Sequence, residues 1–267
     1  MPKIMMAFPQ GKHKVLTMSY DDGQTADIKL VEIFNKYGMK GTFHLNSGML
    51  GMNSRIAEEE VVALYRGHEV SAHTLTHPTI ARCPREQIIE EIFEDRKRLE
   101  RMVGYPVRGM SYPNGSYNKE IKEMLPYLGV EYARTTQSTG QFAMPDDLFE
   151  WKPTCHHNTD LMNVAETFVN LNKKQYLYMM YVWGHSYEFD HDHNWPLIES
   201  FCEFIGNRLD IWYATNVEIV DYLKAFQNLK FSASCQFVYN PSALSVWLQV
   251  DNHIVEVKGG SQIAFTS

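Results

Sequence analysis

The sequence predicts an α/β fold in which parallel strands are covered by helices, and three observations carry that reading. Strand-like and helix-like segments alternate from about residue 14 to residue 228, the pattern that builds a parallel sheet. The helical segments repeat apolar residues at three- and four-residue spacing, as a helix packed on a sheet requires. The chain has 267 residues, and α/β barrels of about 200 to 250 residues are routinely one domain.

Residues 15–20 read as the first strand, and 26–37 as a helix with Ile28, Val31 and Phe34 on one face, stopped by Gly38. Residues 41–46 form the next strand, 58–66 a helix, and 68–72 a short strand after Gly67. The clearest helix is 85–102, with Ile88, Ile92, Leu99 and Met102 on one side and Pro84 near its first turn. The alternation continues through strand 107–112, helix 118–128, strand 130–135, helix 161–171, strand 176–183, helix 197–209, strand 211–214 and helix 216–228. From Lys230 the pattern changes to short alternating runs (Val246, Leu248, Val250, then Ile254, Val255, Val257) separated by Asp251-Asn252 and Gly259-Gly260. That is hairpin chemistry. Residues 1–228 are thus expected to form the main unit and 229–267 a small β-hairpin appendage.

Composition narrows the function. A hydrophobic fraction of 44% with 21% charged residues belongs to a globular protein with a substantial core. The formal net charge of -7 disfavours nucleic acid and anionic membrane surfaces as partners. Cys83, Cys155, Cys202 and Cys235 form no CxxC pair, so they are expected to be free thiols. Residues 1–10 lack the apolar run of a signal peptide, and no stretch approaches the roughly 18 apolar residues of a membrane span. As written the chain reads as cytoplasmic; a trimmed form of a secreted protein would read the same.

The chemistry-bearing residues fall at the ends of predicted strands. Tyr20-Asp21-Asp22-Gly23 closes the first strand, where barrel active sites are built; the plainer alternative is an Asp-Gly turn with solvated acids. His73 and His77 follow the third strand, and their spacing on one helical turn would bring both imidazoles to one face, as in many metal sites. Tyr112-Pro113-Asn114-Gly115 follows the fourth strand, and Trp183-Gly184-His185-Ser186 follows the apolar strand. Taken singly, these are a turn and one more histidine. His156-His157 and His191-Asp192-His193 are the remaining clusters; the second could add a metal or touch sugar hydroxyls, although a solvated loop is the plainer reading.

In order, these segments resemble the polysaccharide deacetylase family, carbohydrate esterase family 4 or NodB-homology domain. Tyr20-Asp21-Asp22-Gly23 is similar to its first motif, and Gly67-His68-Glu69 through His73 and His77 to its second. The resemblance spans about residues 12–225 and implies a distorted (β/α) barrel of about seven strands. It implies that Asp22, His73 and His77 hold a divalent metal (zinc above all, with cobalt or nickel as alternatives), that Asp21 is the general base, and that His185 protonates the leaving group. The family's third motif begins with an arginine that steadies the base. Here Ser111 stands in its place, with Arg108 three residues earlier, while the backbone donor at Asn114 needs no particular side chain. Tyr112, Trp151 and Trp183 are the expected pocket residues, and Asp160 or Glu150 the expected partner of His185.

The implied activity is metal-dependent removal of acetyl groups from an N- or O-acetylated carbohydrate. A second enzymatic reading is a carbon-nitrogen hydrolase acting on a small amide or cyclic ureide. A third, from another class, is a carbohydrate-binding relative without turnover, for which the serine at position 111 is the main support.

Overall fold

The computed structural model describes residues 2–265; Met1, Thr266 and Ser267, the outer ends of the two expected units, lie outside the described residues. The first half of the chain runs β1 (Ile4–Ala7), β2 (Lys14–Asp21), α1 (Asp27–Lys36), β3 (Gly41–Leu45), α2 (Val61–Leu64), β4 (Glu69–Ala72), α3 (Arg85–Val103), β5 (Gly109–Ser111), α4 (Lys119–Met124) and β6 (Tyr132–Arg134). It continues through β7 (Cys155–His156), α5 (Leu161–Asn170), β8 (Tyr178–Gly184), α6 (Tyr187–His191), α7 (Trp195–Ile205), β9 (Ile211–Tyr213) and α8 (Asn216–Gln227). Five short strands end it: β10 (Lys230–Phe231), β11 (Phe237–Tyr239), β12 (Val246–Val250), β13 (His253–Val257) and β14 (Gln262–Ala264).

Seven parallel strands curl in the order β6-β5-β4-β3-β2-β8-β7, the distorted barrel expected. β2 is the central strand and is buried along its whole length, its polar Thr17 and Ser19 included. β3 pairs with its second half from Met18 to Asp21, and β9 with Lys14 to Leu16. One segment closes the wall. Trp151 exchanges backbone hydrogen bonds with Ala133 and Thr135 beside β6, and four residues later Cys155 and His156 pair with Val182 and Trp183 of β8.

The helices bury their predicted faces with two differences. On α1 the buried residues are Leu30, Val31, Ile33 and Phe34, whereas Ile28 is 42% exposed, because the helix turns one residue further toward the sheet. On α3, Ile88, Ile92 and Leu99 share their buried face with two acids, Glu91 and Asp95. The expected helix 118–128 is α4 followed by a separate tight turn, Leu125–Leu128, since Pro126 has no N–H to continue the ladder.

A second apolar cluster lies under the strand starts and includes Phe8, Val15, Tyr222, Val246 and Leu248. β12 and β13 form the expected hairpin, turned by Asp251 and Asn252 at positive φ. β1, which the pattern did not reveal, pairs antiparallel with β12. The Tyr222 hydroxyl donates to the Ala7 carbonyl at 2.6 Å and accepts from the Trp247 N–H at 2.9 Å. All four cysteines are free, and no helix among the described residues is long and apolar enough to cross a membrane.

Candidate functional site

Asp21 ends β2, and Asp22 follows at φ 85, its N–H donating to the His44 carbonyl at 2.9 Å. The turn out of the strand therefore puts both carboxylates at the barrel mouth. His73 follows β4 directly, and its N–H lies 3.0 Å from both the Leu45 carbonyl and Asp95 Oδ2. Residues 73–77 do not form the expected helical turn. They are an irregular loop with Thr74 at φ 65 and His77 at φ 60, a left-handed geometry that costs non-glycine residues about 1–2 kcal/mol each. Hydrogen bonds enforce it: the Asn46 amide donates to the His73 and Thr74 carbonyls, and the Thr76 N–H donates to Glu91 Oε2 at 2.8 Å. The loop brings the two imidazoles together, with ring centroids 4.8 Å apart.

Asp22 Oδ1 lies 3.8 Å from His77 Nε2 and 4.0 Å from His73 Nε2. The Nδ1 of His73 lies 2.9 Å from the Ser111 carbonyl; a proton there donates to that oxygen and leaves the Nε2 lone pair facing the site. Burial pushes the His73 pKa down to about 4, against the pull of Asp21 and Asp22, so the ring is neutral. Asp22 Oδ1 is buried with no directed hydrogen bond, its nearest cation being the Arg55 guanidinium at 3.3 Å, so its lone pairs remain open to a further cation. Three donors of this chemistry fit a divalent ion with positions left open.

Asp21 is 2% exposed. Burial alone would raise its pKa, but Arg134, then His73, hold it well below the usual carboxylate range. Arg134 projects from β6, is fully buried, donates to Asp21 Oδ2, and packs its guanidinium 4.6 Å from the centre of the Trp183 ring. The guanidinium expected near Asp21 is therefore present, but Arg108 does not supply it. Arg108 points away, bonded to Asp221 at 2.6 and 2.7 Å and to Glu131 at 3.1 Å. Ser111 fills the space, its hydroxyl donating to Asp21 Oδ1 at 3.1 Å and lying 2.6 Å from His73 Nδ1.

His185 follows β8 on the other side of the mouth. Its Nδ1 lies 3.4 Å from Glu188 Oε1, and its N–H donates to Glu188 Oε2 at 3.1 Å. Burial lowers the His185 pKa, but the close approach of the Glu188 carboxylate and the charges of Asp21 and Asp22 outweigh it, and the net shift is upward. The partner is thus Glu188, on α6, and not Glu150 or Asp160. Glu150 pairs with Lys122 at 2.7 Å and Lys152 at 3.1 Å, and Asp160 accepts from the Asn163 amide at 2.7 Å.

The expected pocket residues are mostly interior. Trp151 is fully buried, edge-on to Tyr132 and Tyr181, and offers no face to a ligand; it is part of the wall. Tyr112 is also buried, its hydroxyl donating to the Phe149 carbonyl at 2.7 Å. Trp183 is 8% exposed and donates through Nε1 to the Ser138 hydroxyl at 3.1 Å. Asn114 is exposed, at φ 56 in the tight turn Pro113–Gly115. His191 is exposed and pairs with Asp192 at 2.9 Å, the solvated reading.

Arg134, Glu188, Asp95 and Asn46 were not singled out in the sequence. An arginine two residues from Tyr132, on the same face of the predicted strand 130–135, was a usable signal for Arg134. So were the acids at positions 91 and 95, on the same helical face as Ile88 and Ile92.

The polysaccharide deacetylase family profile matches residues 9–133, which include Asp21, Asp22, His73 and His77 and end one residue before Arg134. The peptidoglycan-N-acetylglucosamine deacetylase of Listeria monocytogenes is 22% identical over 132 residues, 48% of this chain and 28% of that protein. The chain's match spans less than half the length of such curated relatives. Among solved structures, one from Mycobacterium smegmatis assigned to the polysaccharide deacetylases superposes with TM-score 0.60 at 15% identity, covering 85% of this chain and 96% of that one. The Xyl-CE4 domain of a multidomain xylanase from the hindgut metagenome of Trinervitermes trinervoides gives 0.57 at 16% identity, covering 80% and 92%. Over residues 9–133, a little under half of its length, the chain is similar to the polysaccharide deacetylase family, and it shares the barrel of the solved structures of that family.

Proposed function

We propose that the chain removes acetyl groups from an N- or O-acetylated carbohydrate, using a divalent metal held by Asp22, His73 and His77, with zinc the best fit to two imidazoles and one carboxylate. The observation that carries this reading is the buried Asp21 carboxylate, kept ionised by Arg134 beside a converging group of one carboxylate and two imidazoles. Bound there, the metal would acidify water and polarise an acyl carbonyl. Asp21 accepts the proton of the attacking water. The Ser111 hydroxyl and Arg134 fix the carboxylate from two sides, so it cannot rotate away. The backbone N–H at Asn114 would stabilise developing oxyanion charge. Across the mouth, His185 carries the proton that an amine leaving group needs, and Glu188 favours its protonated form.

The reading without turnover rested on the serine at position 111. Arg134 reaches the same carboxylate from the neighbouring strand, so that argument loses its force. The test is acetate release from chitooligosaccharides, acetylxylan and peptidoglycan, with metal content measured on the same samples. His77→Ala is expected to lose most of the metal bound at this centre, and Asp21→Asn to keep it while losing turnover. Equal metal at this centre in wild type and His77→Ala would overturn the ligand assignment. Acetate release by Asp21→Asn at the wild-type rate would overturn the base.

A further inference from the structure

Glu188 gathers more than His185. Its Oε2 lies 3.2 Å from His156 Nε2 and 3.1 Å from His157 Nε2, while Oε1 faces His185 Nδ1 at 3.4 Å. Three imidazoles thus converge on one carboxylate, yet the rings do not aim their N–H bonds at it. His157 is fully buried and neither of its ring nitrogens has a hydrogen-bond partner; His185 Nδ1 has none either. Close approach without directed bonds is what a set of ligands around an ion would show. In a tetrahedral zinc site with bonds near 2.0–2.1 Å, neighbouring donor atoms stand about 3.3 Å apart, close to both imidazole-to-carboxylate distances.

The surroundings favour neutral rings and a charged acid. Burial lowers the His157 pKa, so its nitrogens keep their lone pairs. The three histidines hold Glu188 far below the usual carboxylate range despite its burial. The ring of His157 is clamped between Tyr20 and Phe189, with centroids 5.7 and 4.2 Å away. It fits only because residue 184 is glycine: a Cβ there would come within 2.1 Å of His157 Nδ1.

We infer a second divalent-metal site, of the zinc type, formed by His156, His157 and Glu188 and separate from the centre at Asp22, His73 and His77. The two are the groups of metal-donor side chains found among the described residues. His157 is the most deeply buried of the three. The His156 side chain is 20% exposed, and its Nδ1 accepts a long 3.2 Å bond from the Asn158 N–H, which ligation through Nε2 would break because the ring proton would then sit on Nδ1. Because Glu188 also faces His185, an ion here would fix the arm that carries that imidazole. The inference concerns occupancy and does not depend on which acyl group the protein removes.

The test is zinc stoichiometry on the chelator-stripped, full-length chain, by equilibrium dialysis and elemental analysis, with cobalt absorption as a report on coordination number. Wild type is expected to bind two ions. His77→Ala should keep the second, and Glu188→Gln the first. His156→Ala, at a partly exposed position, is the variant least able to disturb folding, and should weaken the second ion at least tenfold while leaving the melting curve unchanged. Saturation of wild type at one ion would overturn the site. So would two ions retained by both Glu188→Gln and His156→Ala. Failure of the deacetylase reading would look different, with two ions bound and no acetate released.

Discussion

Replacing Arg134 tests whether the arginine that steadies the base has moved from the third motif to a neighbouring strand. Arg134 is fully buried and Asp21 nearly so, and deleting one partner of such a pair leaves an uncompensated charge at a cost of about 3–5 kcal/mol. At about 2–4 °C per kcal/mol for chains of 150–250 residues, Arg134→Met should lower the melting temperature by on the order of 10 °C. The kinetic consequence follows from the opposing influences on Asp21. Burial raises its pKa and Arg134 is the largest influence lowering it, so without the guanidinium the carboxyl shifts toward protonation. In wild type the ion pair stabilises the fold above the unfolded aspartate pKa of about 3.9 and fades only as pH falls toward the depressed folded value. Asp21 therefore leaves no mark on the wild-type acid limb near neutrality. In Arg134→Met an acid limb should appear and move upward, with turnover near neutrality down by about 10²- to 10⁴-fold. Adding Ser111→Arg to Arg134→Met returns a guanidinium to the family position and should recover part of the rate. The assay is the pH profile of acetate release with metal content measured alongside. An Arg134→Met protein with wild-type turnover, melting temperature and acid limb would refute the reasoning.

Glu188→Gln should move the alkaline limb of the rate to lower pH, because Glu188 supports the raised pKa of His185 and a general acid acts only while protonated; an unmoved limb would detach Glu188 from that role. His185→Ala should slow acetate release from an N-acetylated sugar by about 10²- to 10⁴-fold and hydrolysis of an activated aryl acetate much less, since a nitrophenolate leaves without a proton. Equal losses on both substrates with metal retained would remove His185 as the acid. Leu248→Ala, fully buried in the cluster beneath the barrel, should cost about 2–5 kcal/mol without changing metal content, as measured by chemical denaturation and elemental analysis.

What the sequence disclosed follows from how locally each feature is encoded. Helices such as α3 declare themselves through their own periodicity, and the hairpin of β12 and β13 through Asp251-Asn252. The Asp21, Asp22, His73 and His77 set was legible because each lies just past a strand end. Arg134 and Glu188 were not, because their partners are set by which strands become neighbours and how far a side chain reaches. β1 was missed for the same reason: its pairing partner, β12, lies more than two hundred residues away. The loop of His73 and His77 was misread as helical because four-residue spacing has more than one backbone solution, and the buried acids of α3 select the irregular one.

The seam of the barrel has a consequence for robustness. Where β2 is gripped along its length by neighbours on both sides, the wall between β6 and β8 is closed by short joins, the chain bonding to β6 around Trp151 and to β8 from Thr154 to His157, with residues 139–142 laid alongside. Arg134 stands on one lip of that seam, and His156 and His157 on the other. A local opening there would release the guanidinium from Asp21 and the imidazoles from Glu188 in one event, leaving Asp22, His73 and His77 in place. If the proposed activity holds, damage at this seam is expected to silence the protein while sparing the proposed metal centre.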